Sequence, residues 1–206
     1  MTTTGLFVAF EGGEGAGKST QVNLLAESLR SQGREVVTTF EPGDTAVGRQ
    51  LREILLGHAT GHIDPRSEAL LYAADRAEHV AQVVRPAVER GAVCITDRYV
   101  DSSIAYQGAG RALDARDVER ASLWATAGLS PHLTVLLDID PEVGLTRFET
   151  PADRLESEPL AFHQRVRQHF LELSRRAPER YLVVDATDPV EKVAAQVLEA
   201  VERVLR

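Results

Sequence analysis

The eight residues Gly12-Gly13-Glu14-Gly15-Ala16-Gly17-Lys18-Ser19 constrain this chain more than any other stretch. They fit the pattern GxxxxGKS at every fixed position. They also stand between an apolar run, Leu6 to Phe10, and a helical pattern from about Lys18 to Gln32 with Val22, Leu25, Ala26 and Leu29 on one face. A strand, a glycine loop and a helix in that order form a cradle for a phosphate chain. The glycines let backbone N–H groups turn inward, and the helix N-terminus adds partial positive charge. Lys18 would reach the β- and γ-phosphates, the Ser19 hydroxyl would take magnesium, and Thr20 extends the same nucleotide-binding set. Only Lys18 and Lys192 are lysines among the 23 basic residues, so a compact ammonium stands where the loop needs one in a chain that otherwise uses arginine.

Further along the chain, apolar runs alternate with helical patterns. Strands are expected at Glu35 to Thr39, Ala92 to Thr96, Leu133 to Ile139 and Tyr181 to Asp185. Between them helices are expected at Ala46 to Leu56, Asp114 to Ala127, Pro141 to Phe148, Leu160 to Ala177 and Val190 to Leu205. The longest, Ser67 to Arg90, carries a stripe of Leu70, Ala73, Ala74, Ala77, Ala81 and Val84 that should be its buried face, with Pro86 placed to kink or break it. Five strands, each followed by helix, predict an α/β domain over residues 1–206: a parallel sheet covered on both faces, with ligands at the carboxyl ends of its strands. The polar stretch Glu149 to Pro159 reads as a mobile loop.

Charge and composition narrow the function. With 31 acids against 23 bases the net charge is −8, which argues against a nucleic-acid polymer as partner while leaving room for a small anionic ligand. No apolar run approaches the roughly 18 residues a membrane span needs, and Met1 to Gly5 carry no basic patch of a secretory leader, so a cytoplasmic protein is expected. The lone Cys94 reads as a small buried core residue, His58 and His62 as a solvated loop, and Trp124 with Leu123 and Ala127 as core or subunit contact.

A phosphate loop leaves the phosphoryl acceptor open. No Asn-Lys-x-Asp guanine-reading sequence is present. Asp97-Arg98-Tyr99 ends the third strand, where a carboxylate would hold magnesium and an arginine would clamp a phosphate. Taken with Phe10-Glu11-Gly12, Glu41-Pro42-Gly43, Leu71-Tyr72-Ala73-Ala74-Asp75-Arg76, Ser102-Ser103 and Ala105-Tyr106-Gln107-Gly108, these motifs resemble the thymidylate kinase family from end to end. The resemblance implies a nucleoside monophosphate kinase fold with a short lid at 149–159, and a homodimer using ATP, magnesium and dTMP.

It further implies that Arg98 grips the dTMP phosphate, Tyr72 stacks on thymine and Arg76 hydrogen-bonds it. Ser103 and Gln107 would also meet the substrate, Tyr106 would crowd the sugar, and Glu11 and Asp97 would lie near magnesium and the 3′-hydroxyl. Such kinases need an arginine at the transferring phosphoryl. Gly15 cannot supply it from the loop, which leaves Arg147 and Arg154, with Arg154 preferred because it lies within the lid. The chain departs from the family pattern at Phe40 and Asp44, where Arg-Glu-Pro-Gly-Gly is usual, and Arg49 or Arg52 is available to replace the missing base. Two rival readings are a deoxynucleoside kinase using Glu11 or Asp97 as base, and a nucleotide-binding switch protein.

Overall fold

In the computed structural model, residues 5–147 and 153–206 are described; Phe148 and positions 149–152 of the predicted lid lie outside them. Five strands, β1 (Leu6–Gly12), β2 (Val36–Phe40), β3 (Val93–Asp97), β4 (Leu133–Asp138) and β5 (Tyr181–Asp185), form one parallel sheet in the order β2-β3-β1-β4-β5. Parallel neighbours need crossovers, and helices supply them: α1 (Lys18–Ser31), α2 (Ala46–Leu56), α3 (Pro65–His79), α4 (Arg85–Glu89), α5 (Val100–Ser103), α6 (Ala115–Ala125), α7 (Pro141–Leu145), α8 (Leu160–Arg176) and α9 (Val190–Val204). The expected strands and helices are present within a few residues of their predicted bounds.

Strand β1 alternates between the two faces. Leu6, Val8 and Phe10 pack with Val22, Leu25 and Leu29 of α1 and Val193, Val197 and Val201 of α9. Phe7 and Ala9 pack with Val80, Val84 and Ala87, beside a fully buried Cys94. A third cluster, Leu55, Tyr72, Tyr106, Phe162, Val166 and Phe170, ties α2 and α3 to α8.

Two expectations are corrected. First, of the kink or break expected at Pro86 the break does not occur: the turn before it, Val80–Val84, widens to five-residue spacing and α4 continues. Proline has no N–H to donate, and a locally wider turn accommodates that loss. Second, the predicted buried stripe of the long helix is largely its outer face. Leu70 is 63% exposed, and Ala74 and Ala81 are exposed too, while Glu68, Tyr72, Ala73, Asp75, Arg76 and His79 are buried. The inward stripe is mostly polar because each of its charged side chains finds a partner on another element.

Candidate active site

Phe10 of β1 lies opposite Asp97 of β3, so the phosphate loop and the Asp97-Arg98-Tyr99 turn emerge side by side. A cavity of about 910 Å3 opens there, lined by Glu14 to Asn23 and by Tyr72, Arg76, Arg98, Ser103, Tyr106 and Gln107.

On the loop side, Lys18 Nζ donates to the carbonyls of Gly12 (3.1 Å) and Gly13 (2.9 Å), held inside the curve of the loop. Burial first, and then the Arg98 charge, lower its pKa. Ser19 Oγ donates to Asp97 Oδ2 at 2.7 Å, which joins the two predicted magnesium residues, and Thr20 also borders the cavity. Gly15 has φ +69°, and a Cβ there would sit 2.2 Å from the Gly144 carbonyl oxygen; one at Gly144 would sit 2.3 Å from that of Glu14. Helix α7 therefore packs backbone to backbone against the loop. Arg147, three residues past Gly144, donates to Gly15 O at 2.7 Å and to Ala186 O at 3.2 Å.

The preference for Arg154 is not what the structure places at the loop. Its Nε donates to Leu55 O at 3.1 Å and its Nη2 pairs with Glu68, outside the cavity lining. A buried, ionised partner holds it on α3, and Arg147 is the arginine brought to the phosphate loop.

Arg98 sits in the left-handed region at φ +71°, its N–H bonded to Phe10 O at 2.9 Å. That bend aims the guanidinium back over the loop. Nη2 meets Glu14 Oε1 at 2.7 Å, Nη1 reaches Ser102 Oγ at 3.2 Å and Gly12 O at 3.3 Å, and the group lies 5.0 Å from the Tyr106 ring centroid. Tyr106 Oη donates to the same Glu14 oxygen at 2.7 Å. Burial opposes ionisation of Glu14, yet Arg98, Lys18 and the Tyr106 hydroxyl outweigh it and hold the carboxyl down to about 2. Glu14 is the site residue whose position the sequence reading missed, since it counted only as a loop residue. An acid inside an anion-binding loop was the available signal, because such an acid needs its own cation.

Glu11 is placed differently from Glu14. It is fully buried, does not line the cavity, and accepts from Tyr99 N (2.9 Å), Ser102 N (3.2 Å) and Ser102 Oγ (2.5 Å). Burial, then the Asp101 charge, raise its pKa. It braces the turn that carries Arg98 and lies outside the cavity lining.

Among the acceptor-side residues, Tyr72 is buried and borders the cavity. Arg76, 1% exposed, spends its donors on Glu41 (2.8 Å), Tyr99 O (2.9 Å), Ser103 Oγ (3.1 Å) and Ser122 Oγ (3.3 Å). It thus reaches the cavity together with Ser103, and it also ties α3 to α6. Gln107 lies in a widened turn at Ile104–Gly110, and its Nε2 donates to Glu68 at 2.9 Å. Of the two arginines available to offset Phe40, Arg52 borders the cavity: its guanidinium lies 5.7 Å from the Phe40 ring centroid and it donates to Pro42 O at 2.7 Å. The extra acid Asp44 accepts from Thr39 Oγ1, whose other contact is His79, bonded in turn to Glu41.

Comparison with known proteins follows the same lines. The family model described as thymidylate kinase matches residues 10–197. A thymidylate kinase of Clavibacter sepedonicus is 59% identical over 94% of this chain and 93% of its own length, and one of Deinococcus radiodurans is 49% identical over 96% of each. The crystal structure of thymidylate kinase from Ehrlichia chaffeensis superposes with a TM-score of 0.80 at 29% identity, covering 96% of this chain and 98% of that one. A loop and an arginine turn meeting at the carboxyl ends of two interior strands, in a sequence matched along nearly all its length, make this chain a member of the thymidylate kinase family.

Proposed function

We propose that the protein transfers the γ-phosphoryl of ATP to the phosphate of dTMP, giving dTDP and ADP. The observation that supports this best is one cavity lined by Lys18 and Ser19 together with Arg98, Tyr72, Ser103 and Gln107. Such a cavity has room for a donor phosphate chain and an acceptor monophosphate in line. An acceptor phosphate with a second pKa of about 6 is mostly ionised at neutral pH, so it attacks without a general base. Catalysis is then positioning and charge neutralisation. In this reading Lys18 holds the donor phosphates, Arg98 the acceptor phosphate, and Arg147 the group in transit. Glu14 keeps Arg98 and Tyr106 in place and offers its second oxygen to a sugar hydroxyl.

The adjacent Ser19 hydroxyl and Asp97 carboxylate fit magnesium, a hard cation that takes one or two protein oxygens and keeps several waters. When bound, it would supply charge neutralisation on the phosphate chain. The nucleoside-kinase alternative loses Glu11 as its base, because that carboxylate is buried and already bonded. ADP release from Mg-ATP with dTMP, dUMP, thymidine, other monophosphates or no acceptor tests the proposal. Stimulation by dTMP above the rest is the expected result, and stimulation by thymidine alone would overturn it.

The protein is further proposed to act in the cytoplasm as a homodimer. Among the described residues no helix is long and apolar enough to cross a membrane. Helices α3 and α6 are neighbours, and they leave Leu70 63%, Leu123 42% and Trp124 86% exposed, an apolar face of the kind that a second copy covers.

A further inference from the structure

Glu68 of α3 is fully buried and lies outside the cavity wall. Its carboxylate accepts from Gln107 Nε2 (2.9 Å), Arg111 Nε (3.1 Å) and Nη2 (3.2 Å), and Arg154 Nη2. Burial opposes its charge, but these donors outweigh burial and lower its pKa. An ionised carboxylate only accepts hydrogen bonds, so Gln107 can meet it only through the amide nitrogen. The amide oxygen has no partner among the described residues, and Gln107 is part of the cavity wall.

We propose that Glu68 is a specificity-determining positioning residue: by holding the Gln107 nitrogen it fixes the amide oxygen as the group presented to the base. Resting on the monophosphate-kinase reading, this selects a base whose ring edge carries an N–H. Thymine and uracil offer N3–H to that oxygen, whereas cytosine offers a lone pair, and two acceptors face to face repel. The Ser103 hydroxyl, which accepts from Arg76 Nη1 and lines the same cavity, keeps its own proton to donate to a base carbonyl. An unconstrained glutamine could turn its amide over and accept either base, so the selectivity belongs to Glu68 as much as to Gln107.

The test is the ratio of kcat/KM for dTMP over dCMP in wild type, Glu68→Gln, Gln107→Leu and the double variant. A neutral amide at 68 can donate or accept, which frees Gln107 to turn. The ratio is expected to fall about tenfold or more in Glu68→Gln, and to show no further fall when that change is made on Gln107→Leu. A merely structural role would move the melting temperature and the KM for ATP in both backgrounds and leave the ratio unchanged, which would overturn the proposal. Should Glu68→Gln not fold, wild-type protein still decides: 3-methyl-dTMP, which lacks the N–H, should bind at least about tenfold more weakly than dTMP, and equal affinity overturns the proposal. Wild-type protein that phosphorylates no monophosphate would instead overturn the kinase reading itself.

Discussion

At the scale of single residues, the site depends on pairing charges that a short loop forces together. Glu14 would repel a phosphate chain if it stood alone, and Arg98 neutralises it from a backbone conformation unusual for a non-glycine residue. Arg98→Ala should therefore lower kcat/KM for dTMP by about 10²–10³-fold, and the melting temperature with it, because Glu14 loses its cation; near-wild-type kinetics would remove Arg98 from the reaction. The arginines beyond α7 divide in a similar way. Arg147→Ala should lower kcat, because its side chain lies on the phosphate loop, whereas Arg154→Ala should mainly lower the melting temperature by leaving buried Glu68 short of a partner. Turnover lost in Arg154→Ala but kept in Arg147→Ala would reverse that assignment. The phosphate loop and the Asp97-Arg98-Tyr99 turn were legible from residue order alone. The exchange of roles between Glu11 and Glu14 was not, because only Gly12 and Gly13 separate them and the bend of the loop decides which carboxylate reaches the cavity.

At the scale of elements, α3 has two periodic stripes, and the sequence does not say which one faces in. Leu70, Ala74, Ala77 and Ala81 recur at helical spacing, and so do Glu68, Tyr72, Asp75, Arg76 and His79. Burial of the second set is tolerable only because Glu41, Arg111 and Gln107 arrive from distant positions to satisfy it. This polar seam carries a pH dependence. Burial first, and the neighbouring Glu41 second, push the Asp75 carboxyl from 3.8 up to about 6. An acid with a raised folded pKa binds its proton more tightly in the fold than in the unfolded chain. Its contribution to stability therefore declines as pH rises from 3.8 to about 6, then stays constant. Glu14 has the opposite sign: its contribution is complete above its ordinary 4.5 and is lost as pH falls toward about 2. Denaturant unfolding of wild type and Asp75→Asn across the acid range isolates the first effect. The stability of wild type relative to the variant should fall through the Asp75 window, and a difference independent of pH would exclude Asp75 as its source.

At the scale of the whole molecule, the outward stripe of α3 becomes informative once the inward one is known. Leu70 on α3 and Leu123 and Trp124 on the neighbouring α6 are too apolar to leave in water by default, so Trp124→Glu should convert a dimer to a monomer in analytical ultracentrifugation. A wild-type protein that sediments as a monomer would exclude the pairing. By itself the sequence determined the parallel α/β architecture, the phosphate loop and the end of the sheet where chemistry lies. Each of these follows from local order: strand, glycines and helix in succession, and crossovers that parallel strands require. Only the tertiary structure decided which arginine meets the loop, which acid faces the cavity and which side of α3 is inside. Those outcomes depend on close approaches between residues far apart in the chain, such as Gly15 against Gly144 and Glu68 against Arg154, and no local pattern records such distances.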